Sequence, residues 1–442
     1  ADGRMQITTL RTGREKVEIM VLSVAQIERA LSLHKEIHYL TDVVGSGAPD
    51  NDLFDWKLPV HTSIDFFGRQ DTAGEILSIL TKDEAQPSGL FGLRKMGKTS
   101  LLLHIRARAE YPIAYVDLQA GTDPENVFSR ILTSWQSAIT ENKTLSERLH
   151  KRSLSWTPPS LTGEPASSFG AAALDLVKHL QAAGIQPYLG IFLDEIECLF
   201  PQTAESFTYQ QPKPLSDYLT ISRTLRGLIQ ETRSIFVMVA GVDPAIARTS
   251  RLADGTQNPF FALMQERFLG PLSEVDCSEM VAWISEQMGL VFEAPALEFI
   301  YRSSGGHPYL ARKLCSVAYN ARLMVRGTPV TVQDMRRAAG LFVRDPQASA
   351  AVDAGVWQEV TNAPTWKASL AATNGSLLRV LASQGPQPED SLRSAAIDQP
   401  ILDEALRELT KRYILTRNDG QIAITFELLA DWVREYQMEA RS

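Results

Sequence analysis

The sequence is poor in cysteine and in long apolar runs, and each shortage excludes a class of protein. Its 442 residues include only three cysteines, Cys198, Cys277 and Cys315. They show neither C-x-x-C spacing nor a nearby histidine, which excludes a disulfide framework and a structural zinc site and predicts reduced cytoplasmic thiols. No apolar run reaches the length of a transmembrane helix, so no membrane partner is expected.

An excess of basic residues is also missing. The net charge is −8, from 44 Lys and Arg against 52 Asp and Glu. The whole chain therefore lacks the electrostatic signature of a nucleic-acid-binding protein. A hydrophobic content of 44% is ample for globular cores, and this length predicts about two to four domains.

The most informative stretch is residues 92–99, which read G-x-x-x-x-G-K-T, the spacing of a phosphate-binding loop (P-loop). The glycines let backbone N–H groups approach a β-phosphate, Lys98 brings a positive charge, and Thr99 offers a hydroxyl to Mg²⁺. An apolar helix pattern over 99–108 follows, so a bound phosphate would lie at a helix N-terminus. This context favours the P-loop over the alternative, a surface turn.

A second motif lies at residues 189–195, an apolar run that ends in Asp194 and Glu195. It predicts a buried parallel strand whose C-terminal end delivers two carboxylates. Asp194 would hold Mg²⁺ through water, and Glu195 would polarise the attacking water. The pair alone is also compatible with a simple strand-to-turn boundary, but the P-loop upstream favours the catalytic interpretation.

The fold class predicted from these patterns is α/β, with a parallel sheet in a P-loop domain at residues 61–272. Further strands are predicted at 113–118, 234–242 and 267–269, and helices at 124–139, 169–183 and 214–231. Residues 145–168 are rich in Ser, Thr and Pro and predict an exposed insertion. The strand at 234–242 ends before Asp243, where P-loop proteins often place an Asn, Thr or Arg that senses the γ-phosphate. The sensor is therefore left open.

The N-terminal part, residues 1–60, carries apolar residues at three- and four-residue spacing over 14–40. This pattern predicts an amphipathic helix, which either docks on the core or binds a partner. A new unit begins near residue 65 with Phe67-Gly68-Arg69. Ahead of a P-loop, the backbone and Phe of this tripeptide can border an adenine, although a plain turn is the alternative.

A helical lid domain is predicted at residues 273–344, with helices at 274–288, 294–303 and 308–326. The break Gly306-His307-Pro308 is either a helix start, because Pro needs no N–H there, or a contact with adenine or ribose. A linker over 345–365 leads to the last domain.

Residues 366–442 predict a winged helix, with helices at 376–383, 390–395, 401–412 and 426–436. Strands at 413–416 and 422–425 flank Asn418-Asp419-Gly420, a strong hairpin signal. In the third helix three acidic residues balance three basic ones: Asp403, Glu404, Glu408, Arg407, Lys411 and Arg412. A helix that reads a DNA groove should be basic, so contact with protein is favoured.

Over residues 65–440 the chain resembles the STAND class of P-loop NTPases, relatives of AAA+ and origin-recognition ATPases. The resemblance rests on Phe67-Gly68-Arg69, the Gly-x-Arg-x-x-Gly-Lys-Thr loop, Leu193-Asp194-Glu195, Gly306-His307-Pro308 and the winged helix. No Met-His-Asp-type step is apparent. Tyr309 stands where the arginine of the AAA+ Gly-x-x-Arg sensor would be, which favours STAND over a processive motor.

The resemblance implies a slow, switch-like ATPase. An ADP-bound closed form would be held by the lid and wing, and ATP with a stimulus would open it into an oligomer, as in bacterial defence or regulation. Self-association and a protein effector are the implied partners. The alternative is a DNA-associated ATPase of the origin-recognition or transposition type, with the winged helix on duplex DNA. The acidic balance and the neutral third helix favour the switch.

The implied cofactors are ATP or ADP with Mg²⁺. The nucleotide-binding residues would be Phe67, Gly68, Arg69, Gly92, Arg94, Lys95, Met96, Gly97, Lys98, Thr99, Ser100 and Pro308. Thr99 and Asp194 would hold the metal, and Glu195 and Lys98 would act in hydrolysis. Arg267 is a candidate trans-acting arginine for a neighbouring subunit, the alternative being a surface ion pair.

Overall fold

The computed structural model describes residues 6–12, 15–21, 52–55, 66–80, 86–152, 154–201, 215–362, 366–393 and 399–438. Contacts divide the chain into two compact units. The first comprises Ala1–Leu58, Leu272–Ser349 and Phe426–Leu428, and the second comprises Pro59–Pro271, Ala350–Thr425 and Leu429–Ser442. Within the described ranges, no helix combines the length and apolar character needed to cross a bilayer.

An antiparallel hairpin stands near the N-terminal end, where the sequence predicted a helix. β1 (Gln6–Thr12) pairs with β2 (Glu15–Val21). The helix predicted over 14–40 is therefore wrong for residues 15–21, and residues 22–40 lie outside the described part. Val17, Ile19 and Val21 recur at every second position, and this alternation suits a strand, while the helical spacing depends on residues further along the chain.

A five-stranded parallel sheet, ordered β4-β5-β6-β3-β7, forms the centre of the second unit. Its strands are β3 (Ser88–Phe91), β4 (Ile113–Asp117), β5 (Leu189–Asp194), β6 (Ile235–Gly241) and β7 (Gln265–Phe268). Every residue of β3, β5 and β6 is buried, as expected for apolar runs in a sheet covered on both faces. The predicted α/β class and strands are confirmed.

One helix, α1 (Gln70–Leu80), precedes β3. Further helices fill the connections between the strands: α2 (Lys98–Arg108), α3 (Pro124–Glu141), α4 (Lys143–Lys151), α5 (Pro165–Ala182), α6 (Leu215–Thr232) and α7 (Ala245–Arg248). Phe128 and Trp135 of α3 stack on Phe169 of α5, with ring centroids 4.5 and 5.9 Å apart. The Trp135 indole N–H donates to the Gly190 carbonyl of β5 at 2.8 Å. This aromatic stack anchors the strand that carries Asp194.

The exposed insertion predicted at residues 145–168 is confirmed for most of its described residues, but three apolar side chains depart from it. Leu145 and Leu149 lie on α4 and are buried, and Trp156 is buried after the helix ends. All three belong to the same core cluster as Phe169. The polar composition predicted solvent exposure correctly for most of the segment, and these few apolar side chains attach it to the core.

The first unit holds the helices that follow residue 272: α8 (Glu274–Gln287), α9 (Ala294–Ser304), α10 (Pro308–Asn320) and α11 (Val332–Arg344). His307 caps α10, because its ring nitrogen accepts the Leu310 N–H, and Pro308 occupies the first turn. A Cβ at Gly306 would lie 2.3 Å from the Leu272 carbonyl oxygen, so a glycine is required there. A helix start thus accounts for Gly306-His307-Pro308 within this unit.

The C-terminal segment, defined here as residues 350–425, belongs to the second unit. Its region contains α12 (Pro346–Val352), a π-helical turn (Asp353–Trp357), α13 (Gln358–Thr361), α14 (Ala368–Gln384), β8 (Gln387–Pro388), α15 (Glu389–Arg393), α16 (Gln399–Lys411), β9 (Leu415–Asn418) and β10 (Gln421–Ile424), followed by α17 (Glu427–Tyr436). β10 pairs antiparallel with β8 and β9. The predicted hairpin is confirmed, and the winged-helix assignment stays a prediction.

Candidate nucleotide-binding site

The P-loop joins β3 to α2. Gly97 precedes α2 with φ 98°, a left-handed conformation that glycine adopts at little cost. Lys98, the first residue of α2, is buried, and its Nζ donates to the carbonyls of Gly92 at 2.8 Å and Leu93 at 2.9 Å. The ammonium therefore lies inside the loop at a helix N-terminus, where an anion is favoured.

The predicted metal-binding pair meets at the end of β5. The Thr99 hydroxyl donates to Oδ2 of Asp194 at 2.6 Å, although 95 residues separate the two in sequence. Both groups present oxygen atoms, the ligands that Mg²⁺ prefers. The described residues include no group of three or more His, Cys, Asp and Glu side chains able to hold a metal ion. These two residues fit an Mg²⁺ site that is completed by phosphate oxygens and water.

Glu195 lies directly after β5 in a left-handed conformation, with φ 55°. Its backbone N–H donates to Oδ1 of Asp194 at 3.0 Å. Burial raises the pKa of the Glu195 carboxyl, and the neighbouring Glu197 and Asp194 raise it further. A positive φ in a non-glycine residue is uncommon and concentrates at functional sites, and a raised pKa suits a carboxylate that accepts a proton near neutral pH.

A third carboxylate, Glu197, belongs to the same site and was missed by the sequence reasoning. It accepts the backbone N–H groups of Val242 and of Asp243, the latter at 2.8 Å. A Cβ at Gly241 would lie 2.4 Å from Glu197 Oε1, so a larger residue there would displace this carboxylate. Burial lowers the pKa of Lys98, and Glu197 is the strongest of the carboxylates that oppose this shift. Only its position two residues after Glu195 could have indicated it.

Arg69 supports the P-loop from behind. Its side chain is buried, and Nη2 donates to the carbonyls of Met96 at 2.8 Å and Gly270 at 2.9 Å. The guanidinium thus connects the loop to the residues after β7. The predicted contact of Arg69 with nucleotide stays a prediction, as do those of the half-buried Phe67 and Gly68.

The remaining predicted residues fall into different surroundings. The Met96 side chain is fully buried, which leaves its backbone to face a ligand, while Lys95 has φ 57°. Ser100 is half-buried on α2. Arg267 lies in β7, an edge strand, and its Nε is buried without a hydrogen-bond partner among the described residues. Pro308 belongs to the first unit. Their roles stay predictions.

The C-terminal segment contacts the P-loop and the end of β6. Glu359 of α13 forms an ion pair with Arg94 of the P-loop. Arg412, directly after α16, is 2% exposed, and its Nη1 donates to the Val242 carbonyl at 3.0 Å. Its guanidinium also lies over the Trp366 ring, 4.9 Å from the centroid. No local sequence signal indicated Glu359 or Arg412 as part of the site.

An ion-pair network supports this contact. Arg248 of α7 pairs with Glu266 of β7 through two nitrogens, each at 2.7 Å, and with Glu408 of α16 at 2.9 Å. Bidentate arginine–carboxylate pairs are the strongest of the charge-assisted hydrogen bonds. Arg94, Glu359, Val242, Arg412 and this network together form the docking side of the site.

Comparison with solved structures identifies the fold. The Walker-type ATPase PABY2304 of Pyrococcus abyssi is 16% identical, with a TM-score of 0.54 over 86% of this chain and 99% of that one. The ORC2 protein of Aeropyrum pernix, in ADPNP and ADP complexes, is 14% identical over 88% and 98% of the two chains, with a TM-score of 0.45.

The fold assignment rests on PABY2304 alone, because only its TM-score, 0.54, is high enough to indicate the same fold. No protein-family model matches the sequence, and no curated protein matches it. The five-stranded parallel sheet and the likeness to PABY2304 together show that the chain has the P-loop fold of Walker-type ATPases.

Proposed function

We propose that this chain is an AAA+-like ATPase that binds ATP with Mg²⁺ and hydrolyses it slowly, as a nucleotide-controlled switch. The observation that carries the proposal is that Lys98, Thr99, Asp194 and Glu195 lie together at the C-terminal ends of the strands. Lys98 would bind the β- and γ-phosphates, because its ammonium already lies within the loop whose backbone N–H groups bind phosphate.

The chemistry would divide among residues of the P-loop and of β5. Thr99 and Asp194 would hold Mg²⁺, which when bound supplies positive charge for the phosphate oxygens. Glu195 would orient and polarise the attacking water, and its raised pKa favours proton transfer to its carboxylate. Glu197 would keep the end of β6 in place, since it accepts two successive backbone N–H groups there.

The switch part of the proposal is supported by the docking side. Glu359 places a carboxylate on a P-loop arginine, and it also lies close enough to Lys98 to oppose the lowering of the pKa of that lysine. A nucleotide phosphate brings negative charge to the same cations. Binding and docking would therefore compete, and a ligand shifts an equilibrium by its different affinity for the two forms. The outcome proposed is release of the C-terminal segment and self-association.

Calorimetric titration with ATP and Mg²⁺ tests the ATPase proposal. Lys98→Ala removes the loop's phosphate-directed charge, so we expect tight binding to be lost. Lys151→Ala, at the exposed end of α4, is the matched control and should bind as the wild type does. Unchanged affinity in a folded Lys98→Ala variant would show that the P-loop is not the site.

The alternative of a DNA-associated ATPase is tested by fluorescence anisotropy with duplex DNA and the full chain. Glu408 of α16 and Arg412 directly after it are buried, and the other charges of the helix still cancel: Asp403, Glu404, Arg407 and Lys411. We therefore expect no strong binding at physiological salt. Tight binding that weakens steeply as salt rises would replace the switch proposal with the DNA-associated one.

A further inference from the structure

Tyr115 contacts the predicted metal-binding aspartate from the neighbouring strand. It lies on β4, which runs parallel to β5 with Asp117 opposite Asp194. The Tyr115 hydroxyl donates to Oδ2 of Asp194 at 2.9 Å, and the same oxygen accepts the Thr99 hydroxyl at 2.6 Å. The phenol is therefore a third group at this carboxylate, from an element that carries neither motif.

The acceptor positions of Asp194 are nearly all filled. Oδ2 accepts from Tyr115 and Thr99, and Oδ1 accepts the Glu195 N–H at 3.0 Å. An ionised carboxylate offers about four acceptor positions. These three donors consequently leave about one acceptor position, which a water molecule bound to a metal ion would fill.

We propose that Tyr115 is a positioning residue for the Mg²⁺ site, which acts by fixing the orientation of the Asp194 carboxylate. The inference rests on the proposed function. Thr99 can donate its proton to Asp194 and still offer a lone pair to the metal, because a hydroxyl has one proton and two lone pairs. Tyr115 and Thr99 hold Oδ2 from two sides, so the carboxylate has its metal-binding orientation before the ion arrives.

Loss of the phenol hydroxyl should therefore weaken metal binding without weakening nucleotide binding itself. Outer partners of metal ligands typically change metal affinity by about 10-fold or more when they are removed. In Tyr115→Phe we expect ADP affinity measured in EDTA to stay at the wild-type value. The Mg²⁺ concentration that gives half of the Mg²⁺-dependent gain in ADP affinity should rise by about 10-fold.

Tyr111→Phe is the matched control. Tyr111 lies just before β4 and is buried, and its hydroxyl has no hydrogen-bond partner among the described residues. The control removes the same atom from a neighbouring buried tyrosine, so its Mg²⁺ dependence should equal that of the wild type. Equal Mg²⁺ dependence in wild type and Tyr115→Phe would overturn the inference, and so would an equal shift in both tyrosine variants.

A second measurement leaves the side chain in place, in case Tyr115→Phe does not fold. Fluorotyrosine installed at position 115 of the full chain reports its surroundings by ¹⁹F NMR. We expect a resonance shift on adding Mg²⁺ to the ADP-bound protein. No shift on saturation with Mg²⁺ would overturn the inference. If the wild type binds no nucleotide, the proposed function fails, whereas nucleotide binding with an unaffected Tyr115→Phe variant defeats only the inference.

Discussion

The metal side of the site, formed by Asp194 and its donors, differs from the docking side in how completely its buried polar group is hydrogen-bonded. Asp194 is 2% exposed, and its carboxylate accepts two hydroxyls and one backbone N–H. Arg412 is equally buried, but only Nη1 of its guanidinium donates, to the Val242 carbonyl. Its Nε and Nη2 have no hydrogen-bond partner among the described residues.

This difference indicates which is harder to disrupt, the hydrogen bonds of Asp194 or the contacts of Arg412. A buried group with all its partners is costly to disturb, whereas a buried charge with few partners retains much of its desolvation penalty. Burial lowers the pKa of Arg412 despite the nearby Asp243 and Glu408. The rings of Phe268 and Trp366, 5.9 and 4.9 Å from the guanidinium, provide part of the compensation. We infer that the metal side is preorganised and that the docking side can be released.

The strongest test of this division is Glu195→Gln. The variant keeps Asp194 and its donors but replaces the base by an amide that cannot accept the proton. We expect ATP to bind and persist, with hydrolysis slowed by about 10²–10⁴. Single-turnover hydrolysis and light scattering are measured together on wild type and variant.

Two results of that experiment would count against different claims. Wild-type hydrolysis in Glu195→Gln would remove this residue from the mechanism. If ATP is trapped while the protein stays monomeric, the chemistry stands, but the link between nucleotide and assembly fails. If ATP is trapped and the protein assembles, nucleotide binding at the metal side is linked to release of the docking side.

A smaller effect is expected from Glu359→Gln, which removes the ion pair with Arg94. Because the Arg94 side chain is 60% exposed, the pair contributes at most about 1 kcal/mol, equivalent to about a five-fold change in affinity. We expect tighter ADP binding, by up to that factor, since a competing carboxylate is lost. Calorimetry measures the affinity, and limited proteolysis of the C-terminal segment measures docking.

Glu141→Gln serves as the control for this change. It removes a comparable ion pair, with Arg106 at 3.3 Å, from α3, and it should leave ADP affinity unchanged. Weaker or unchanged binding in Glu359→Gln would show that Glu359 does not compete with nucleotide.

The smallest effect is expected for Arg412→Met. Arg412 forms no ion pair among the described residues, so an apolar side chain of similar length recovers its desolvation penalty, which offsets the lost hydrogen bond to Val242. We expect the free energy of unfolding, measured with urea, to change by about 1 kcal/mol or less. A loss of several kcal/mol would mean that the guanidinium is well compensated, and the contrast with Asp194 would disappear.

The P-loop and the acidic strand end could be predicted because their chemistry is local. Residues 92–99 contain the glycines, lysine and threonine of a phosphate site in one short stretch, and an apolar run ending in Asp194 and Glu195 indicates its own strand. The meeting of Thr99 and Asp194 followed from the general rule that parallel strands present their C-terminal ends together. The helix predicted over 14–40 failed at residues 15–21, where alternating apolar residues form a strand.

The sequence by itself determined the α/β class and the strands of the parallel sheet, and it supplied the candidate residues for phosphate and metal binding. Each depends on spacing within a short stretch of chain, which backbone geometry converts directly into position. Only the tertiary structure decided that Tyr115 donates to Asp194 and that Glu197 holds the end of β6. It also decided that Arg412 contacts the residue after β6 and that Glu359 pairs with the P-loop. These contacts join segments far apart in sequence, and their partners are set by sheet order and packing, which no local pattern contains.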